Sequence, residues 1–192
     1  TNASYLYTVM QIAMTISALV GGFLGDFFAR KFGPKGRIIL FQIYGVAFAA
    51  IIALTMYFAH WWDPDVTPGN GQVVTNDPSL MYYVMVFLMG LIFSIGFSGC
   101  VLPMISTVTP VQLSATAFAV LFSLIQGGIN VVYNLVVGSV AQALGDLQLT
   151  ILVGVSLPYA LNSIYWFLFY KTYPKDVKLQ DQRSAAIAAG TF

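Results

Sequence analysis

Residues 78–145 read PSLMYYVMVFLMGLIFSIGFSGCVLPMISTVTPVQLSATAFAVLFSLIQGGINVVYNLVVGSVAQALG and contain no Asp, Glu, Lys, Arg or His. One straight helix of that length would reach roughly 100 Å, at about 1.5 Å per residue, against a hydrocarbon core of about 30 Å. The stretch must therefore fold back on itself. Pro103 and Pro110 supply the expected break, because proline ends helices. The hydroxyl and amide side chains around them, Ser106, Thr107, Thr109, Gln112 and Ser114, are expected to cap the helix that follows.

Working outward, residues 1–25, 38–62 and 147–170 are likewise free of Asp, Glu, Lys and Arg, and each is long enough to cross a bilayer. Of the 192 residues 58% are hydrophobic and 8% charged, and Glu is absent. A soluble domain carries about 25% charged residues, so an ordinary water-soluble protein is excluded. A membrane sheet must close into a barrel of alternating strands, and these runs are too long and too continuously apolar for that. The expected fold is all-α, a polytopic transmembrane helix bundle of five spans at 4–27, 37–60, 80–103, 115–143 and 148–170. A cytoplasmic tail, 171–192, follows, unstructured or weakly helical.

The charged residues add a topology. All eight basic residues fall in two clusters, Arg30, Lys31, Lys35 and Arg37 after the first expected helix and Lys171, Lys175, Lys178 and Arg183 after the fifth. The positive-inside rule places both clusters in the cytoplasm, which requires an odd number of spans between the N-terminus and the tail. The loop 60–79 holds Asp63, Asp65 and Asp77 without a base, and Asp146 is the one charge between the last two helices, as expected of outside or lumenal loops. Trp61 and Trp62 at one boundary, and Trp166, Tyr170 and Tyr173 at the other, suit aromatic belts, and His60 beside Trp61 suits an interfacial role. The N-terminus of the chain is then outside. Because no signal peptide precedes it, at least one further helix is expected upstream.

Other classes are disfavoured by what the composition lacks. A net charge of +1 gives no basic stripe for nucleic acid. One cysteine, Cys100, and one histidine, His60, imply neither a disulfide nor a multi-histidine metal cage, and no metal or cofactor is implied. No set of paired acids or nucleophile and base lies within the spans, so an enzyme is not expected.

The loop after the first helix carries a motif. It reads Gly21-Gly22-Phe23-Leu24-Gly25-Asp26-Phe27-Phe28-Ala29-Arg30-Lys31-Phe32-Gly33-Pro34-Lys35-Gly36-Arg37. Small residues let a helix approach its neighbour closely, and Asp26 suits the exposed N–H groups of another helix's N-terminus. Arg30 and Lys31 suit anchoring at an anionic leaflet. A tight cytoplasmic turn with topology-setting charge would need no more than this.

Here the sequence resembles the major facilitator superfamily of secondary transporters, whose signature loop is Gly-x-x-x-Asp-Arg-x-Gly-Arg-Arg. Gly22, Asp26, Arg30 and Lys31 match in register, whereas Phe27 stands in an Arg position and Ala29 in a Gly position. Pro110 and Ala117 are similar to that family's Pro-x-x-x-Arg-x-x-Ala pattern, with Ser114 in the Arg position. The resemblance implies helices eight to twelve of a twelve-helix fold, with helices two to six as the mirror alternative, and is closest in character to spinster-like and related plant or protist members. It also implies transport by alternating access, with Gly22, Asp26, Arg30 and Lys31 as a gating motif and the protein's own upstream helices and membrane lipid as partners.

The candidate substrate-binding residues lie on three helices. Ser123, Gln126, Asn130, Tyr133 and Asn134 recur at offsets of three and four along the fourth, opposite Leu121, Ile125, Val132, Val136 and Val140. Gln11 and Thr15, with Tyr7, form a thinner stripe on the first, and Ser94 and Ser98, with Tyr83, Phe87 and Gly90, mark one side of the third. Amides and hydroxyls bind a small-molecule substrate or water without burying a charge. Each also has a structural alternative, as interhelical glue or as a bond to its own helix. Gln42 and Asn162, isolated on the second and fifth helices, are expected to be structural; Pro158 is expected to kink the fifth.

The expected function is a secondary active transporter or facilitator of a small organic solute. A non-transporting multi-pass binding or scaffold protein is the rival. With no ionisable residue in mid-span, a coupling proton or a substrate counter-charge would come from other helices.

Overall fold

The computed structural model describes residues 2–59, 80–145 and 147–189. The expectations for His60, Trp61, Trp62, Asp63, Asp65, Asp77 and Asp146 lie outside the described residues. Within them every residue is helical except Thr109, Pro110, Gly145 and Ala189, and there are no strands. We label the helices α1 (Asn2–Phe32), α2 (Gly36–Ala59), α3 (Leu80–Val108), α4 (Val111–Leu144) and α5 (147–188).

Four stretches are long and apolar enough to cross a membrane: Ser4–Met56, Leu80–Val108, Val111–Leu144 and Leu149–Ile187. The first takes in most of both α1 and α2. They are separated by a 3-10 turn, Gly33-Pro34-Lys35, in which Gly33 takes a positive φ of 65° that a side chain would strain. Gly36 then lies so close to the Phe28 carbonyl that a Cβ would collide with it, and α2 packs back along α1.

The expected break inside 78–145 is present but shifted. Helix α3 runs through Pro103 and stops at Thr109, whose φ of −99° and ψ of 131° are extended, as the residue before Pro110 must be. Pro103 is tolerated because a π turn, Phe97–Val101, precedes it and re-routes the backbone bonds; the Leu102 N–H donates to the Phe97 carbonyl. The same device precedes Pro158, at Leu152–Ser156. Nor do the hydroxyls cap α4. Ser106 and Thr107 donate to the Pro103 carbonyl of their own helix, at 2.9 and 2.6 Å, and neither helical turn after Pro110 has a side-chain cap.

The core is built on α2. Ile38, Phe41, Tyr44, Phe48, Ile52 and Thr55 recur at offsets of three and four and are buried against α1, α3 and α5. Phe48 meets Tyr159 edge to face with ring centroids 4.7 Å apart, and Phe41 meets Trp166 at 4.3 Å. Helix α1 packs most extensively on α3, where Gly21 and Gly25 face Gly99 so closely that a Cβ on any of the three would strike backbone. Polar groups inside the bundle are tied across helices: the Ser94 N–H donates to Ser17 Oγ at 3.1 Å, and Ser156 Oγ donates to the Ala49 carbonyl at 2.8 Å.

Helix α4 differs. None of its described side chains is buried, and it meets the rest chiefly through a Phe97–Phe122 ring contact at 5.0 Å and through the beginning of α5. The tail also differs from expectation, because α5 stays helical to Ala188. Tyr173 is buried and Val177 packs against the core, so this segment docks on the 33–35 turn and the end of α3. That docking gathers both basic clusters at one end of the bundle.

Candidate functional site

A cavity of about 440 Å³ opens where α1, α2, α3, α4 and α5 converge. Its wall is mixed. Aromatic residues, Phe41, Phe93 and Phe97, alternate with side chains that carry polar atoms, Tyr44, Ser94, Gln126, Tyr159 and Asn162. The Tyr44 hydroxyl is engaged, donating to the Phe93 carbonyl at 3.2 Å, and Ser94 accepts through its carbonyl from Ser98 Oγ at 2.7 Å. No described residue hydrogen-bonds to the amide of Gln126 or of Asn162. Neither amide is buried, Gln126 being exposed and Asn162 half-buried, so both are open to water or a ligand at the cavity wall.

Of the residues expected to bind substrate, Ser94 and Gln126 both line this cavity, although Gln126 is itself exposed. Gln11 and Thr15 do not join them: both are exposed on α1, and Thr15 Oγ1 bonds the Gln11 carbonyl at 2.9 Å. Asn130 and Asn134 are exposed further along α4. The Tyr133 hydroxyl donates to the Gly154 carbonyl at 3.1 Å, which joins α4 to α5. In place of these the cavity recruits Tyr44, Tyr159 and Asn162. Asn162 corrects an expectation, for it faces the cavity and has no structural hydrogen bond among the described residues. The usable signal was its spacing, since Tyr159, Asn162 and Trp166 recur at three and four and so share a face of α5. Gln42 does act structurally. Its Nε2 donates to the Ser163 carbonyl at 3.0 Å, and its Oε1 accepts from the Tyr170 hydroxyl at 2.8 Å.

The second cluster lies at the end of the bundle that holds the basic residues. Asp26 does not meet helix N–H groups; its partner is Arg37, whose Nη2 stands 3.4 Å from Asp26 Oδ1. The Arg37 Nη1 also donates to Thr107 Oγ1 at 3.3 Å. One guanidinium thus joins the ends of α1, α2 and α3. Its side chain is only 18% exposed, while that of Asp26 is 60% exposed, so water screens the acid more than the base. Arg37 Nε is buried without a partner. Lys31 turns instead to the rings of Phe27 and Phe32, its Nζ 5.8 and 5.5 Å from their centroids, and Arg30 is exposed. Gly22 faces open space, so the close contact falls to Gly21 and Gly25. The sequence marks Arg37 as topology-setting charge and Thr107 as a cap, but not their tie, although Arg37 follows Asp26 across a turn rich in glycine and proline.

No family model, curated protein or solved structure matches this chain.

Proposed function

We propose that this chain is part of a secondary active transporter or facilitator that moves a small, uncharged or amphipathic organic solute by alternating access. In this reading Ser4–Met56 supplies two spans, giving five in all. The N-terminus lies outside or in a lumen, and both basic clusters lie in the cytoplasm. That arrangement, with Gly22, Asp26, Arg30 and Lys31 in register, is the one expected of the major facilitator fold. The observation that carries the reading is the cavity itself, a mixed polar and aromatic space whose wall includes the unpartnered amides of Gln126, on the exposed face of α4, and half-buried Asn162.

The chemistry follows from the wall. Amides each donate and accept, so Gln126 and Asn162 can hold hydroxyl, carbonyl or amine groups of a solute, while Phe93 and Phe97 cover its apolar faces. Among the described residues no Asp, Glu, Lys, Arg or His lines this cavity, so the wall favours neutral contacts. At the cytoplasmic end, Arg37 holds α1, α2 and α3 together through Asp26 and Thr107. Its bonds are long and partly hydrated, worth about 1 kcal/mol or less each, which suits a contact that breaks and reforms as the helices rock.

Counterflow of a panel of labelled uncharged organic solutes into proteoliposomes holding the full-length protein tests this. Uptake of at least one solute is expected, with Gln126→Ala and Asn162→Ala raising its apparent KM. No uptake of any solute, or uptake indifferent to both substitutions, counts against the reading.

A further inference from the structure

A second space lies on the outer side of the bundle, between α2 and α5. It is an open groove of about 750 Å³, lined by the small residues Ala47, Ala50 and Ala160 and by the larger Val46, Ile164 and Phe167. Its two polar residues are already engaged. Gln42 bonds the Ser163 carbonyl and the Tyr170 hydroxyl, and Ser163 Oγ bonds the Tyr159 carbonyl at 3.1 Å. The groove therefore suits hydrocarbon better than a polar solute.

What lies beyond its end identifies the occupant. One helical turn past Phe167, α5 begins the series Lys171, Lys175 and Lys178, spaced by four and three so that they share a face, and all three are exposed. The opposite face of the same segment is held to the core by Tyr173 and Val177. A hydrocarbon groove thus runs out beneath a fixed line of ammonium groups.

We propose that this groove and lysine line bind an anionic phospholipid of the cytoplasmic leaflet, with an acyl chain between α2 and α5 and the phosphate at Lys171. The inference rests on membrane embedding and not on transport. Each lysine near an anionic surface is worth about a fivefold change in affinity. The groove supplies the hydrophobic share, which a zwitterionic lipid would also receive.

Native mass spectrometry of the full-length protein, purified in mild detergent and given dioleoylphosphatidylglycerol or dioleoylphosphatidylcholine, tests it. Retention of the phosphatidylglycerol is expected to be severalfold greater. Lys171→Gln should lower it about fivefold without changing phosphatidylcholine, and Ala47→Phe should remove both lipids. Equal retention of the two lipids, or retention unaffected by either substitution, overturns the proposal. Should Ala47→Phe fail to fold, a benzoylphenylalanine photocrosslinker at Val46 decides. An adduct with the mass of a phospholipid is expected, and an adduct with another helix or a second copy of the chain overturns the proposal.

Discussion

Helices α1 to α3 and helix α4 are built from similarly apolar sequence, yet they sit in the molecule in opposite ways. The first three close on one another until Gly21 and Gly25 touch Gly99, with Ser17 and Ser94 joined across the seam. Helix α4 buries none of its described side chains, although it carries the longest polar stripe in the chain. Packing in lipid draws little from hydrophobic burial, because lipid tails are as apolar as leucine, and depends instead on close fit and hydrogen bonds. The trio has both. Among the described residues, helix α4 joins the rest through one ring contact, one hydroxyl bond and its packing on the beginning of α5, so most of its polar stripe is available for something other than holding the bundle together.

Substitutions can break that contrast. The largest effect is expected at the glycine seam. Gly25→Leu drives a side chain into the Gly99 backbone, which cannot rotate away, and should lower stability in detergent by about 3 kcal/mol. Gly22→Leu, one residue type and one turn of α1 away but facing open space, should leave the thermal midpoint nearly unchanged. Equal losses from the two would mean that the trio is not packed as described.

Next comes Arg37. Replacing it with Gln removes the tie to Asp26 and Thr107 together and should cost about 1–2 kcal/mol, seen as a lower unfolding midpoint. Asp26→Asn weakens only the exposed half of the cluster. It should lower transport while leaving membrane insertion and stability nearly intact, and unchanged uptake would deny the cluster a gating role.

Smaller effects are expected on α4. Tyr133→Phe loses the bond to the Gly154 carbonyl and should cost about 0.6 kcal/mol, a typical interhelical bond in a membrane. Gly138→Ala meets no atom within 4 Å and should change stability by less than about 1 kcal/mol, towards greater helix propensity. A large loss from either would show that α4 is as tightly held as the trio. Asn130→Ala, on the exposed part of the stripe, should alter substrate affinity only if the solute reaches that far along α4.

Much of the helical layout was legible because charge is excluded from lipid and proline from helix interiors. The limits 37–60 and 80–103 lie close to the observed α2 and to the beginning of α3. The misplaced break had a physical cause. Proline ends a helix only when its missing N–H goes uncompensated, and the π turn at Phe97–Val101 compensates at Pro103, whereas Pro110 has no such turn before it. The tail was misread for a related reason: its polar composition hides Tyr173 and Val177, four residues apart, which are enough to dock a helix. At the site, periodicity identified polar faces but not which faces meet. Gln126 and Ser94 converge while Gln11 and Thr15 do not, because the glycine seam fixes how α1 rotates against α3 and no pattern on α1 alone encodes its partner's surface.

The most direct test of a solute pathway asks whether water reaches the cavity. Asn162→Cys in the full-length protein, reconstituted in liposomes, should react with a membrane-impermeant thiol reagent, and added solute should slow that reaction. Buried Cys100 provides an unreactive background, and Ile164→Cys, on the lipid-facing side of the same helix, should stay unlabelled. Labelling at Asn162→Cys and not at Ile164→Cys is the predicted result; an Asn162→Cys that resists the reagent in every condition would contradict the pathway.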